Sequence, residues 1–307
     1  MTARILVAGD ANLDLVLRGD VVPRFGQAEQ LLDGADLVLG SSAGICAAGL
    51  SRLGVATALV ARVGADVFGT RTVELLHGAG IDTTAVRVVE DEPTGVSVIL
   101  SAPEDRAILT LTGALAGLTA DEVLRASRGV GHVHFASYFL VPELARELPA
   151  VLAALRADGI TTSLDTNWDP AETWDGVERC LPLLDVLLPN AAEARALATA
   201  VGGRADDVEA AASALAAHGP MVVVKDGAAG GLAVTGREVL RAEGLAMDVV
   251  DTTGAGDSFD AGFLAAWTEG RDVGEALRWG AVAGSLSTRG SGGTGGQPTR
   301  DEVERAL

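Results

Sequence analysis

Short apolar runs alternate with stretches of helical spacing along most of the chain. Ile5–Ala8 predicts a first strand, and Ala43–Leu53 a helix that stops at Gly54. Thr57–Val63 predicts the next strand, and Val67–His77 a helix that closes at Gly78–Gly80. The pattern resumes with a strand over Val130–Ala136, a helix over Pro142–Ala157 and strands at Ile160–Leu164 and Val186–Leu188. Helices over Ala191–Ala200 and Val208–His218 precede a strand at Met221–Val224. Two more helices are expected near Asp257–Glu269 and Val273–Thr288. This succession predicts an α/β fold: a doubly wound, mostly parallel sheet covered by helices on both faces.

Two regions break the alternation. Leu13–Leu39 holds short apolar segments split by Gly19, Pro23, Gly26 and Gly34. Val86–Leu111 holds three β-rich runs separated by EDEPTG and APEDR turns. A small β-sheet built from about 13–39 and 86–112 would form a lid on a single domain spanning 1–307. Its exposed edge strands would invite pairing between subunits, so a homodimer through the lid is an expectation. The tail Gly290–Gly296 reads as a loop, and no internal repeat is visible.

Charge narrows the partners. The 307 residues carry a net charge of −19, which disfavours nucleic acid and anionic membranes. An anionic ligand remains compatible, because helix dipoles override net charge inside a cleft. Lys225 is the sole lysine. No apolar stretch approaches the ~20 residues of a membrane span. The N-terminal residues show no basic segment followed by a long apolar one, so a cytoplasmic protein is expected. Cys46 and Cys180 form no C-x-x-C and read as buried free thiols.

The chemistry concentrates in VVDTTGAGDSFDAGF, Val249–Phe263. Val249–Val250 is expected to end an extended run. Gly254 and Gly256 sit in a loop that feeds a helix of apolar spacing, with Phe259, Phe263 and Trp267 on one side. A helix start presents free N–H groups and a favourable dipole to an anion. Phe259 occupies the third-glycine slot of a dinucleotide fingerprint, and no Gly-Lys-Ser/Thr follows, so neither that motif nor a P-loop fits. A capped helix start at Asp257 is one reading. The other is an anion hole made by the amides of Gly254, Ala255 and Gly256, with Asp257 as a base toward an attacking hydroxyl.

DTTGAGDSFDAGF resembles the C-terminal motif of the ribokinase-like (PfkB-type) carbohydrate kinases. Supporting pieces span nearly the whole chain. GDANLD, Gly9–Asp14, is similar to the family's opening, which implies that Asp14 holds sugar hydroxyls. VGADVFG, Val63–Gly69, resembles its V-G-x-D-x-x-G segment. Asn190 and Glu193 match N-x-x-E, which implies Mg²⁺ and phosphate placement, and a carboxylate one turn from Asn190 suits Mg²⁺ held through water. Lys225, Gly227 and Gly230 resemble the strand and loop before the adenine site, which implies a nucleotide-flanking position. The resemblance implies a doubly wound fold with a small β lid, ATP as phosphoryl donor and a sugar as acceptor. It also implies a monovalent cation such as K⁺ near Asp251 and Thr253, held through carbonyls.

Departures bear on the substrate. The Gly40, Ser41, Ser42 loop stands where the family carries Gly-Gly, and can offer N–H groups and hydroxyls to the sugar. Ile45 replaces the family's sugar-binding Asn, which weakens the case for ribose or adenosine. Asn167 belongs to a D-x-N segment at a strand's carboxyl end. Asp169 follows where keto-deoxy sugar kinases carry Arg, which argues against a sugar acid. A neutral free sugar is the preferred acceptor. A nucleoside or sugar phosphate, or a sensor without catalysis, stay as alternatives. His132 and His134 share one strand face and read as buried structural histidines. Tyr138 suits either the sugar pocket or the core, and Arg106 a lid surface.

Overall fold

The structure is a computed structural model that describes residues 4–27, 29–102 and 106–307. Residue 28, in the first lid region, and residues 103–105 of the APEDR turn lie outside the described residues. The chain begins with β1 (Ile5–Ala8), β2 (Leu13–Gly19), β3 (Leu32–Leu39), α1 (Ser42–Arg52), β4 (Thr57–Gly64), α2 (Val67–Gly78) and β5 (Asp82–Val89). Then come β6 (Val96–Ser101), β7 (Arg106–Leu111), α3 (Ala120–Ala126), β8 (His132–Ala136), α4 (Pro142–Ala157), β9 (Thr161–Asp165) and β10 (Val186–Leu187). The C-terminal part holds α5 (Ala191–Ala200), α6 (Val208–Ala216), β11 (Met221–Lys225), β12 (Gly231–Thr235) and β13 (Glu238–Ala242). It closes with α7 (Ala255–Thr268), α8 (Val273–Ser287), α9 (Gly292–Gly295) and α10 (Arg300–Ala306).

Among the described residues, nine strands form the main sheet in the order β13-β12-β11-β10-β9-β8-β1-β4-β5. Neighbours from β5 to β11 are parallel, and β12 and β13 add an antiparallel edge. Side chains alternate across a strand, so one strand feeds two cores. Ile5 and Val7 pack with Leu50 of α1, Phe263 of α7 and Trp279 of α8. Leu6 and Ala8 pack with Leu148 of α4, Leu197 of α5 and Leu215 of α6. Helices thus cover both faces, as the alternation predicts. Strand order reverses between β1 and β8, and ligand crevices in such sheets open at the carboxyl ends of strands beside this switch.

The second sheet runs β3-β2-β6-β7. Its outer pairs are antiparallel and its central β2–β6 pair is parallel. One expected lid segment lies elsewhere: Val86–Val89 belongs to β5, paired with β4 in the main sheet. The chain returns from α2 in parallel and covers the β4 edge. It leaves the main sheet only at the EDEPTG turn, where Thr94 Oγ1 accepts the Gly64 N–H at 2.8 Å and donates to Asp66 at 2.7 Å. The lid strands therefore fall within 13–39 and 96–111. Val249 and Val250 also differ from expectation. They are exposed and lie outside any strand, on a segment that crosses toward α8, where Val250 N–H bonds Thr288 O at 2.8 Å.

Cys46 and Cys180 are buried free thiols. His132 and His134 are buried and bonded to Ser163 Oγ, each at 2.8 Å. Burial lowers their pKa values to about 3 and about 4. Among the described helices, none is long and apolar enough to cross a membrane.

Candidate active site

Five parallel strands deliver polar residues to one crevice. Asp10 follows β1 and Ser137 follows β8. Asp165 ends β9, with Asn167 just beyond; Asn190 and Glu193 follow β10, and Lys225 ends β11. The first turns of α1 and α7 and the inner lid face complete a cleft of about 1430 Å³. That is room for two small-molecule substrates rather than one.

Asp14 points into the cleft from β2 and is 8% exposed. Asn12 Nδ2 reaches its Oδ1 at 3.2 Å and also Ser97 of the lid at 3.3 Å. Burial, then the charge of Asp10, raises the Asp14 pKa to about 6. Gly40 makes room for this carboxylate, because a Cβ there would lie 2.1 Å from Asp14 Oδ1.

The Gly40–Ser42 loop is more self-contained than the sequence suggests. Gly40 N–H bonds Asn12 O at 3.0 Å. Ser42 and Ala43 N–H groups go to the Asp10 carboxylate at 3.3 and 3.0 Å. Ser41 holds φ at 67°, and its hydroxyl accepts Gly44 N–H as the cap of α1. A left-handed serine is strained, and this is the second-glycine position of the resemblance. Ser42 Oγ donates to Asp257 Oδ1 at 2.6 Å. Asn167 Nδ2 in turn donates to Ser42 Oγ at 2.6 Å.

Asp257 sits in the first turn of α7. Burial, then the charge of Asp165, raises its pKa to about 7, with the Ser42 hydrogen bond and Lys225 acting against the rise. Gly254 caps the helix at φ 71°, a conformation suited to glycine, and a Cβ would lie 2.7 Å from Gly293 Cα. The Ala255 N–H closes a turn onto Thr252 O at 3.2 Å, while the helix start leaves the following first-turn amides without a carbonyl one turn back.

Lys225 is buried rather than solvated. Its ammonium is buried, 2.6 Å from Asp165 Oδ2 and 3.0 Å from Asp260 Oδ2. Burial works against the ammonium, but the two carboxylates prevail and raise its pKa above the ordinary lysine range. Burial holds the Asp260 carboxyl well above the usual range. Among the described residues, Asp165, Asp257 and Asp260 place carboxylate oxygens within 4.8 Å of one another, and Lys225 already neutralises part of that cluster.

Asn190 and Glu193 form a reciprocal cap on α5. Asn190 Oδ1 accepts Glu193 N–H at 3.0 Å, and Glu193 Oε2 accepts Asn190 N–H at 2.8 Å. Burial, then the charge of Asp165, raises the Glu193 pKa to about 7. Gly227 and Gly230 hold φ at 56° and 89° in the turn between β11 and β12, at the far end of the cleft. Sequence reading missed the wall beside them, made by Leu245, Met247 and the small Ala281 and Gly284 of α8.

Asp251 ties two loops together: Oδ1 accepts Thr253 N–H at 2.9 Å and Oδ2 accepts Gly292 N–H at 2.8 Å. Arg106 is exposed on the lid, as expected, yet it also faces the cleft. From the first position of β7 it lines the cleft and donates to Thr253 Oγ1 at 2.8 Å. Tyr138 is core-buried and outside the cleft lining. Asp169 accepts the N–H groups of Ala171, Thr173 and Trp174 and closes a turn.

A family model described as "pfkB family carbohydrate kinase" matches residues 5–300. The chain belongs to the pfkB family of carbohydrate kinases. This pfkB kinase is 32% identical over 310 residues to the ATP-dependent ribose-1-phosphate kinase of Halopiger xanaduensis, covering 99% of this chain and 98% of that one. It is 29% identical to the ribokinase of Bacillus subtilis over 304 residues, 99% of each chain. Among solved structures, Arabidopsis thaliana ribokinase complexed with ribose and ATP matches with a TM-score of 0.85 at 27% identity, over 99% and 98% of the two chains. The apo form of a putative ribokinase II from E. coli gives 0.86 at 22% identity, over 99% and 98%, and speaks for the fold. The pfkB kinase is thus a sugar kinase, a phosphotransferase with an alcohol acceptor.

Proposed function

We propose that this pfkB kinase transfers the γ-phosphoryl group of ATP to a hydroxyl of a small neutral sugar, with Asp257 as the base. One observation carries the reading: a carboxylate whose pKa is raised to about 7 stands in the first turn of α7, in the same cleft as Asp14. Asp14, with Asn12 behind it, grips sugar hydroxyls under the lid. The acceptor oxygen forms its bond to the γ-phosphorus as the bond to the β,γ-bridging oxygen breaks, and ADP departs. The hydroxyl proton passes to Asp257. Phosphoryl transfer of this kind depends on positioning and charge stabilisation more than on covalent chemistry. The first-turn amides around Gly254–Gly256 and the lid's Arg106 supply that stabilisation.

ATP extends toward Gly227 and Gly230, with its base against the Leu245–Met247 wall. Glu193 fits Mg²⁺ held through water: it lines the cleft, its Oε2 serves the cap, and carboxylates suit this hard cation. Mg²⁺, when bound, offsets phosphate charge. A K⁺ ion near Asp251 and Thr253 would draw on carbonyls of the two loops that Asp251 joins.

Asp10 and Asp14 at the sugar end favour a neutral acceptor. The 32% identity to a ribose-1-phosphate kinase keeps a sugar phosphate as the second reading. A coupled ADP-release assay over pentoses, hexoses, keto-sugars, ribose 1-phosphate and nucleosides decides between them. No turnover on any of these would defeat the proposal. The lid also supports a homodimer: β7 is an exposed edge strand with Leu109 60% and Leu111 55% exposed. Sedimentation should give a dimer, and Leu109→Glu with Leu111→Glu a monomer.

A further inference from the structure

Four elements meet at the base through one directed chain of hydrogen bonds. Its polarity can be assigned from one end. The backbone N–H of Ser137 donates to Asn167 Oδ1 at 2.8 Å, and an N–H can only donate. That fixes the amide: Nδ2 faces Ser42 Oγ at 2.6 Å, and an amide nitrogen likewise only donates. Ser42 Oγ therefore accepts, and its single hydrogen goes to Asp257 Oδ1, 2.6 Å away. That length falls in the range of a hydroxyl bonded to a charged carboxylate.

Every link is held in place. Asn167 is fixed in the left-handed region at φ 55°. The Ser42 N–H is anchored on Asp10, and Ser41 caps α1 just before it. The chain runs from the end of β8 through the end of β9 to the starts of α1 and α7.

The geometry points to Ser42 as a positioning residue for Asp257: polarised by Asn167, its hydroxyl occupies Oδ1 and leaves Oδ2 to take the acceptor's proton. The inference rests on Asp257 being the base. It differs from a substrate-binding role, because a hydroxyl that gives its hydrogen to Asp257 cannot also give it to a sugar. Titratable groups around the carboxylate come from several elements: Asp10 after β1, Asp165 on β9, Lys225 on β11, Cys46 on α1 and Asp260 on α7 itself. Burial and the acidic neighbours favour the protonated carboxyl, whereas Ser42 and Lys225 favour the carboxylate. Loss of the hydroxyl therefore leaves more of the base protonated at neutral pH.

The test is the pH dependence of kcat and kcat/KM for Ser42→Ala, Ser42→Thr and Asn167→Ala on the full chain. In Ser42→Ala the acid limb should move up by about one pH unit, which is about a tenfold loss near neutrality. Activity should recover toward pH 9 with sugar KM little changed. Ser42→Thr keeps the hydroxyl and should restore the wild-type limb. Asn167→Ala removes the donor behind Ser42 and should shift the limb the same way by less, which keeps the test open if Ser42→Ala fails to fold. An unmoved limb in both alanine variants, or a raised sugar KM with kcat intact, overturns the inference. Asp257→Asn separates the two levels. If that variant turns over normally, the base assignment falls and takes this inference with it. If it is inactive while the limbs stay put, the Ser42 role alone is wrong.

Discussion

Lys225 Nζ lies 2.6 Å from Asp165 Oδ2, and both side chains are buried beside Asp257. The lysine side chain also passes close beneath the helix start, since a Cβ on Gly256 would lie 3.5 Å from Lys225 Cδ. The sole lysine of the chain is thus a buried structural cation under the start of α7. Breaking a buried pair by removing one partner leaves an uncompensated charge and costs about 3–5 kcal/mol. Lys225→Met should lower Tm by several degrees at pH 8. The deficit should shrink as pH falls toward 4, because Asp165 can then protonate in place of its lost partner. Calorimetry at both pH values measures it, and an unchanged Tm at pH 8 would contradict it.

Much of this arrangement is legible from local pattern. The strands from Ile5–Ala8 to Met221–Val224 stand within about two residues of their predicted places, because buried parallel strands are short apolar runs. The β12–β13 hairpin went unread. Its alternation is weak, although Gly236 at φ 60° marks its turn. Val86–Val89 has strand character in any sheet, and only the three-dimensional edge of β4 decides which one it joins. Loop placement explains the harder misses. Arg106 reaches Thr253 across 147 positions of sequence, which no local pattern encodes. Asp260 offered a usable signal: a charge three residues after Asp257 inside an apolar helix demands a buried partner, and one lysine existed to provide it.

Gly40 matters by its lack of a side chain rather than by its backbone angle. A Cβ there would stand 2.1 Å from Asp14 Oδ1 and 2.4 Å from its Cγ, so the carboxylate must move. Overpacking of this kind costs about 1–3 kcal/mol. Gly40→Ala should therefore raise sugar KM about 10–100-fold while ATP KM stays near wild type. Steady-state kinetics with each substrate varied separately makes the comparison. An equal rise in both constants would mean that Asp14 does not belong to the sugar end.

As the proposed base, Asp257 should tie activity to stability with opposite signs. Burial and Asp165 raise its pKa from the ordinary 3.8 to about 7. A carboxyl raised on folding destabilises the fold as pH climbs from the lower value to the higher. The cost is absent below pH 3.8 and complete above about 7, where it reaches on the order of 4 kcal/mol. Asp257→Asn keeps an oxygen for Ser42 and removes the half-buried charge. The ligand-free variant should melt several degrees higher than wild type at pH 8, with the gain fading toward pH 4. Turnover should fall by about 10²–10⁴, the usual worth of a general base. Paired calorimetry and ADP-release measurements check both halves. A variant that is inactive but no more stable at pH 8 would place the carboxylate's charge in a better solvated setting than the cleft geometry describes.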